Sequence, residues 1–213
     1  AVMDLGAAGV MIAPPSSLRT DAQIHGYFTQ AVGAAGAGVP VVLQDYPLAT
    51  GVQIDAAVIG RIVEDLPQIV MLKHEDWPGL AKITALRRAE AAGRRRISIL
   101  CGNGGLFLPE EMARGADGAM TGFAYPEMLA EVVARAAAGE MDRAQDIFDA
   151  YLPLVRYEQQ QGAGLAVRKY VLARRGAIAH ASLRSPGAPL PPEAVAEVER
   201  LIARQERRLK ELG

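Results

Sequence analysis

The stretch I-V-M-L-K-H-E-D, residues 69–76, joins a short apolar run to a lysine. The run has the length and composition of a strand, which leaves Lys73 at the strand's end. Comparable runs recur at residues 9–13, 39–43, 97–100 and 116–121. They show little period-2 alternation, as expected of strands covered on both faces in a parallel sheet. Helical patterns lie between them. Thr20 and Asp21 cap one that runs to about residue 35, and Asp55 begins another that runs to about residue 66. A third spans 77–92 and stops at Gly93, a short one spans 109–114, and a fifth spans 126–138. The fifth has Pro126 near its first turn and Gly139 just past its end, the usual asymmetry of helix termini. Strands alternating with helices at this spacing mean βα units and a parallel sheet.

From Glu140 the pattern is helical only, with helices expected at 141–160, 165–175 and 192–212, the last preceded by the proline-rich loop 185–192. The chain therefore divides into a βα portion, 1–139, and a helical extension, 140–213. Five βα units fit an open doubly wound sheet or the last five units of an eight-stranded barrel. The first option predicts a glycine-rich phosphate loop after an early strand. The loop that follows Ala13 reads P-P-S-S-L, and composition leaves the choice open.

The 213 residues suit one domain or a domain with an appendage, and half are hydrophobic, enough for a sizeable core. A formal net charge of -1 points away from nucleic acid and from membrane surfaces. Cys101 is the single cysteine, which excludes an internal disulfide and fits a reducing, cytoplasmic compartment. No stretch reads as a membrane span or signal peptide, and no metal is expected. The opening A-V-M-D-L-G-A-A-G lacks an initiator methionine and reads like the end of a helix already under way, as though residues precede it.

In a (β/α) barrel the active site lies at the C-terminal ends of the strands. Those ends carry Pro14, Pro15 and Ser16; Gln44, Asp45 and Tyr46; Lys73, His74 and Glu75; Cys101, Gly102 and Asn103; and Thr121, Gly122 and Phe123. A lysine among apolar neighbours loses its proton more easily, because desolvation disfavours the charged form. The neutral amine can attack a ketone and form a Schiff base. The competing reading pairs Lys73 with Asp45 or Glu75 as a structural ion pair. His74 is expected to face away from Lys73, Cys101 to be structural, and Arg94–Arg96 to be a solvated charge run. The last helix, with arginines interleaved with glutamates, reads as a solvated face or a subunit contact.

The order of these segments resembles the dihydrodipicolinate synthase / N-acetylneuraminate lyase family of Schiff-base lyases. The resemblance rests on G-A-A-G-V-M-I-A-P-P (6–15), V-P-V-V-L-Q-D-Y-P-L-A-T-G (39–51), P-Q-I-V-M-L-K-H-E (67–75), I-L-C-G-N-G (99–104) and G-A-D-G-A-M-T-G (115–122). It extends into the helical tail from Leu152 to Gly176. It implies a (β/α)8 TIM barrel, of which this chain holds the later strands, followed by a three-helix extension. The family's first three strands, and its Gly-Thr-Thr-Gly-type carboxylate loop, have no counterpart in this sequence.

The resemblance makes Lys73 the nucleophile, with no cofactor beyond its own imine. The family's catalytic tyrosine aligns with Gln44, which cannot titrate, and Tyr46 is the nearest replacement. Asp45, Glu75, Gly102, Asn103, Met120 and Thr121 become expected substrate-binding residues. Ala49 stands where synthases place an arginine, and Ser16 where they place an aromatic, so dihydrodipicolinate synthesis is disfavoured. Q-D-x-P (44–47) together with G-A-M-T-G-x-x-x-P (118–126) looks closer to the 2-keto-3-deoxy sugar-acid dehydratases. The implied function is a lyase that dehydrates a 2-keto-3-deoxy sugar acid or cleaves it to release pyruvate. The alternatives are a synthase-like pyruvate condensation or an impaired relative that only binds a small acid. A small 2-oxo acid is the expected partner, with a homodimer or homotetramer as the assembly.

Overall fold

Parallel strands that follow one another in chain order decide between the two architectures. The computed structural model describes residues 2–213. It contains β1 (Val10–Ile12), α1 (Asp21–Ala35), β2 (Val41–Asp45), α2 (Pro47–Thr50), α3 (Ala56–Asp65), β3 (Ile69–His74), α4 (Leu80–Ala91), β4 (Ser98–Cys101), α5 (Leu108–Ala113) and β5 (Gly118–Ala119). Four further helices follow: α6 (Pro126–Ala137), α7 (Met141–Glu158), α8 (Gly164–Arg174) and α9 (Pro192–Leu212). The five strands form one parallel sheet in the order β1-β2-β3-β4-β5. A doubly wound sheet reverses its strand order at a switch point. Here there is no reversal, which is the order of successive units in a (β/α) barrel.

Two compact units emerge. The first comprises residues 1–102 and 110–120, the second residues 103–109 and 121–213. In the first, the strands show an alternation in burial that their composition hides. Val41, Leu43, Ile69, Leu72 and Ile99 are fully buried, in the same core as Phe28 of α1, Ile59 and Ile62 of α3, and Ile83 of α4. The intervening residues Val42, Gln44, Met71, Lys73, Ser98 and Leu100 are only half-buried, and Met11 is exposed. The expectation of two equally covered faces therefore fails. One face is sealed by helices and the other stays accessible. A register shift between Val41 and Val42 sets Ile69 and Met71 against adjacent partners and leaves Val70 as the extra, exposed residue.

Helix α1 begins with its expected capping chemistry. Thr20 accepts from the Gln23 amide while the Gln23 side chain reaches back to Thr20, a complete capping box at α1. Helix α4 begins at Leu80 rather than Trp77, because the Trp77 amide donates to Asp76 Oδ1 at 2.7 Å and Gly79 takes the N-cap. Strand β3 runs two residues beyond the apolar run. The ladder then continues through the Glu75 amide to the Asp45 carbonyl and the Gly102 amide to the His74 carbonyl, both 2.8 Å. The Arg94–Arg96 run is not merely solvated. Arg94 pairs with Glu64 at 2.5 Å, Arg95 donates to the Ile69 carbonyl at 2.9 Å and to carbonyls at the end of α3, and Arg96 pairs with Asp117.

In the second unit α7 is the central element, packed on α6, α8 and α9. Ile147, Phe148, Tyr151, Leu154 and Val155 form its buried stripe at helical spacing. No described helix is long and apolar enough to cross a membrane.

Candidate active site

Strand register places Gln44, Lys73 and Leu100 side by side on the accessible face of the sheet, at the C-terminal ends of β2, β3 and β4. Asp45, His74 and Cys101 are neighbours in the next row, on the sealed face. The period-2 geometry of strands thus sorts the sequence candidates into two sets.

On the accessible face the Lys73 ammonium stands 3.3 Å from Glu75 Oε2. The same oxygen accepts a hydrogen bond from Gln44 Nε2 at 2.6 Å. The Lys73 side chain is 16% exposed, so it is shielded but reachable, and Glu75 is buried. Glu75 follows the end of β3, and its side chain fills the space above Gly102. A Cβ on residue 102 would lie 2.1 Å from Glu75 Cγ, closer than atoms can approach. Gly102 therefore acts by being small enough to admit Glu75 beside Lys73. Met120, half-buried, is tied to the same region by its amide, which donates to the Cys101 carbonyl at 2.8 Å.

On the sealed face Asp45 is fully buried and pairs with Lys82 of α4 at 2.6 Å; Lys82 also reaches Asp76 at 2.8 Å. Burial raises the Asp45 carboxyl to about 6 in spite of Lys82. The structure brings Glu75 to Lys73 and takes Asp45 away from it. His74 also faces away, as its place in the strand requires. Its ring abuts Gly79, where a Cβ would come within 2.1 Å of Nε2, and burial lowers its pKa to about 4, so it is neutral. Cys101 is buried and its thiol is pushed well up by burial and by Glu111 beside it, which makes it inert. Burial in turn raises Glu111 to about 7.

Tyr46 lies past the end of β2 as the N-cap of α2 and is half-buried. Its hydroxyl has no hydrogen bond among the described residues, while its carbonyl accepts from Thr50 Oγ1 at 3.0 Å. Asn103 and Thr121 belong to the second unit. Asn103 adopts a left-handed conformation, φ 49°, and opens a short turn in which the Gly104 amide donates to Thr121 Oγ1 at 2.7 Å. The segment after Thr121 is clamped by an ion pair between the half-buried Arg168 and the buried Glu158. Arg168 bonds Glu158 at 2.5 Å and the Gly122 carbonyl at 2.7 Å, and Glu158 accepts from the Ala124 amide at 3.1 Å. Lys82, Glu111, Glu158 and Arg168 were not singled out from the sequence. Each is defined by a partner on another element, and no local spacing announces such a partner.

Among the described residues no cluster of His, Cys, Asp and Glu is arranged to hold a metal. The arrangement on the accessible face suits proton exchange at an amine. It offers a lysine, one carboxylate in contact with it, and an amide that fixes the carboxylate.

The chain is similar in sequence and in fold to known proteins. A crystal structure of dihydrodipicolinate synthase from Rhodopseudomonas palustris is 60% identical with a TM-score of 0.92, over 95% of this chain and 67% of that one. The L-2-keto-3-deoxyarabonate dehydratase of Azospirillum brasilense is 31% identical over 199 residues, which cover 91% of this chain and 62% of the relative. The 4-hydroxy-tetrahydrodipicolinate synthase of Chlorobium luteolum is 30% identical over 78% of this chain and 55% of its own length. The chain thus spans less than two thirds of the length of these two curated relatives. Its five strands are consecutive units of a (β/α)8 barrel, followed by C-terminal helices. Residues 1–205 match the Dihydrodipicolinate synthetase family, and the chain belongs to that family.

Proposed function

We propose that this chain carries the imine-forming centre of a lyase that dehydrates a 2-keto-3-deoxy sugar acid, with Lys73 as the nucleophile. The observation that carries this reading is the 3.3 Å contact between Lys73 and Glu75 on the accessible sheet face. Glu75 takes a proton from the Lys73 ammonium, and the neutral amine attacks C2 of the 2-oxo acid. Glu75 returns that proton to the departing oxygen, which leaves as water, and an iminium forms. The iminium acidifies C3. Glu75, again a carboxylate, takes a C3 proton, and the electron pair expels the C4 hydroxyl as water with that proton. One further water then hydrolyses the conjugated iminium and frees Lys73, so the net change is the loss of one water. Gln44 does not titrate; its amide holds Glu75 in place. Tyr46, just past the end of β2, is the candidate to replace the family's catalytic tyrosine. Gly102 and Met120 are read as pocket wall. The relative that dehydrates L-2-keto-3-deoxyarabonate supports this substrate class.

A second reading is the synthase reaction, favoured by the 60% identity to the Rhodopseudomonas palustris enzyme. Both readings share the imine. Ala49 and Ser16 argue against the second, since they replace an arginine and an aromatic at positions where the resemblance expects them. The same proposal includes a homodimer or homotetramer in the cytoplasm, to which the single reduced Cys101 is suited. The deciding assay offers L-2-keto-3-deoxyarabonate in parallel with the substrates of 4-hydroxy-tetrahydrodipicolinate synthesis. Lys73-dependent water loss from the sugar acid supports the dehydratase. Synthase product without dehydration supports the second reading, and turnover of neither set removes both.

A further inference from the structure

Helices α7 and α9 frame a groove of about 620 Å³ in the second unit, lined by Arg156, Tyr157, Leu201, Arg200, Arg204 and Arg207, with Ala203 and Glu197 completing it. Arg200, Arg204 and Arg207 sit at i, i+4 and i+7, so they project from one side of α9, and Arg156 comes from the last turn of α7. None of these four arginines forms a salt bridge among the described residues. Their neighbours do: Arg174 pairs with Glu199 at 2.8 Å and Arg208 with Glu211 at 2.5 Å. The groove's one carboxylate, Glu197, is engaged by the Tyr157 hydroxyl at 2.5 Å. Like charges at i, i+4 destabilise a helix. The groove is thus lined by four arginines and one carboxylate beside the half-buried Leu201, an excess of positive charge. Guanidinium forks recognise phosphate and carboxylate groups through paired hydrogen bonds.

We infer that this groove is a binding site for a small, multiply charged anion bearing phosphoryl or carboxylate groups, distinct from the Lys73 centre in residues and in chemistry. The test titrates the purified chain with tripolyphosphate and, separately, with citrate, by calorimetry in buffers matched in ionic strength with chloride. The expected result is saturable one-to-one binding of at least one of them. Whichever binds identifies the group as phosphoryl or carboxylate. The double variant R200Q/R204Q should weaken it by about tenfold or more, as expected for loss of charge-assisted bonds, while R208Q, which removes the same type of charge outside the groove, should leave it unchanged. Circular dichroism shows whether the variants fold. Binding no stronger than that of chloride overturns the inference, and so does equal weakening by R208Q. A double variant that binds no anion differently but changes oligomeric state also overturns it, and makes the arginines a subunit contact.

Discussion

Gly102 and Glu75 occupy one space: the side chain that residue 102 lacks is the room in which the Glu75 carboxylate reaches Lys73. A Cβ at 102 would sit 2.1 Å from Glu75 Cγ and 2.6 Å from Cδ. Because Gly102 keeps an ordinary backbone φ outside the left-handed region, a substitution there tests the space and not the backbone. G102A is expected to lower kcat by roughly 10²-fold, the range of a displaced general acid–base group, with only a small change in thermal stability. Steady-state kinetics beside a melting curve check this. A variant with unchanged kcat would show that Glu75 need not stand where it does.

Gln44 offers a sharper perturbation. Its amide donates at 2.6 Å to the Glu75 oxygen nearest Lys73. A hydrogen bond to a charged group contributes about 1.5–3 kcal/mol, so Q44L should slow the reaction roughly tenfold or more. Steady-state kinetics check this, and a variant with unchanged kcat would mean that Glu75 does not need the Gln44 amide.

The ion pair on the sealed face should matter for folding more than for chemistry. Lys82 lies 2.6 Å from the fully buried Asp45. Removing one partner of a buried pair costs about 3–5 kcal/mol, because the other charge is left uncompensated. K82M is therefore expected to be strongly destabilised in urea titrations, and K82M/D45N to recover much of the loss. If K82M alone costs less than about 1 kcal/mol, the typical value for an exposed pair, the pair is not structural.

Glu111 sets a pH dependence whose sign is defined. Burial raises its pKa from 4.5 to about 7. Between those values the folded chain binds more protons than the unfolded one, so Glu111 makes stability fall as pH rises. His74 acts in the opposite sense: burial lowers it from 6.5 to about 4, and stability is lost as pH falls through that window. Comparing the native chain with E111Q cancels the histidine. The native chain should lose stability relative to E111Q from about pH 4.5 to pH 7, read from melting temperatures in matched buffers. A difference independent of pH would place Glu111 in contact with water.

The neighbouring thiol gives a simple check on the sealed face. Cys101 is fully buried with its thiol pushed up by burial. It should be silent to a thiol reagent in the native chain and react fully in denaturant. Rapid native labelling would show that the face opens.

The barrel rhythm was legible because the strands are short apolar runs and the helices between them are bounded by turn and terminus signals, such as Thr20 and Gln23 at α1 and Pro126 at α6. Strand period also told His74 from Lys73, since adjacent residues face opposite ways. The same rule applied across the bulge-free upper half of β2 and β3 would have separated Asp45 from Glu75, because Asp45 shares a register row with His74. Adjacency in the sequence obscured that. What the sequence hid is long-range. The partnership of Gly102 with Glu75, of Lys82 with Asp45 and of Arg168 with Glu158 spans separate elements, and a glycine or arginine looks the same with or without such a partner. The extent of β5 was hidden as well: only Gly118–Ala119 pair as a strand, although the flanking Asp117 and Met120 amides still donate to β4.

The central claim is the nucleophilic amine of Lys73. Incubating the folded chain with pyruvate, and separately with a 2-keto-3-deoxy sugar acid, in the presence of borohydride should trap a reduced imine. Peptide mass spectrometry should find the adduct on Lys73 and find none in K73R. No adduct with any 2-oxo acid, or an adduct confined to another lysine, would contradict the claim.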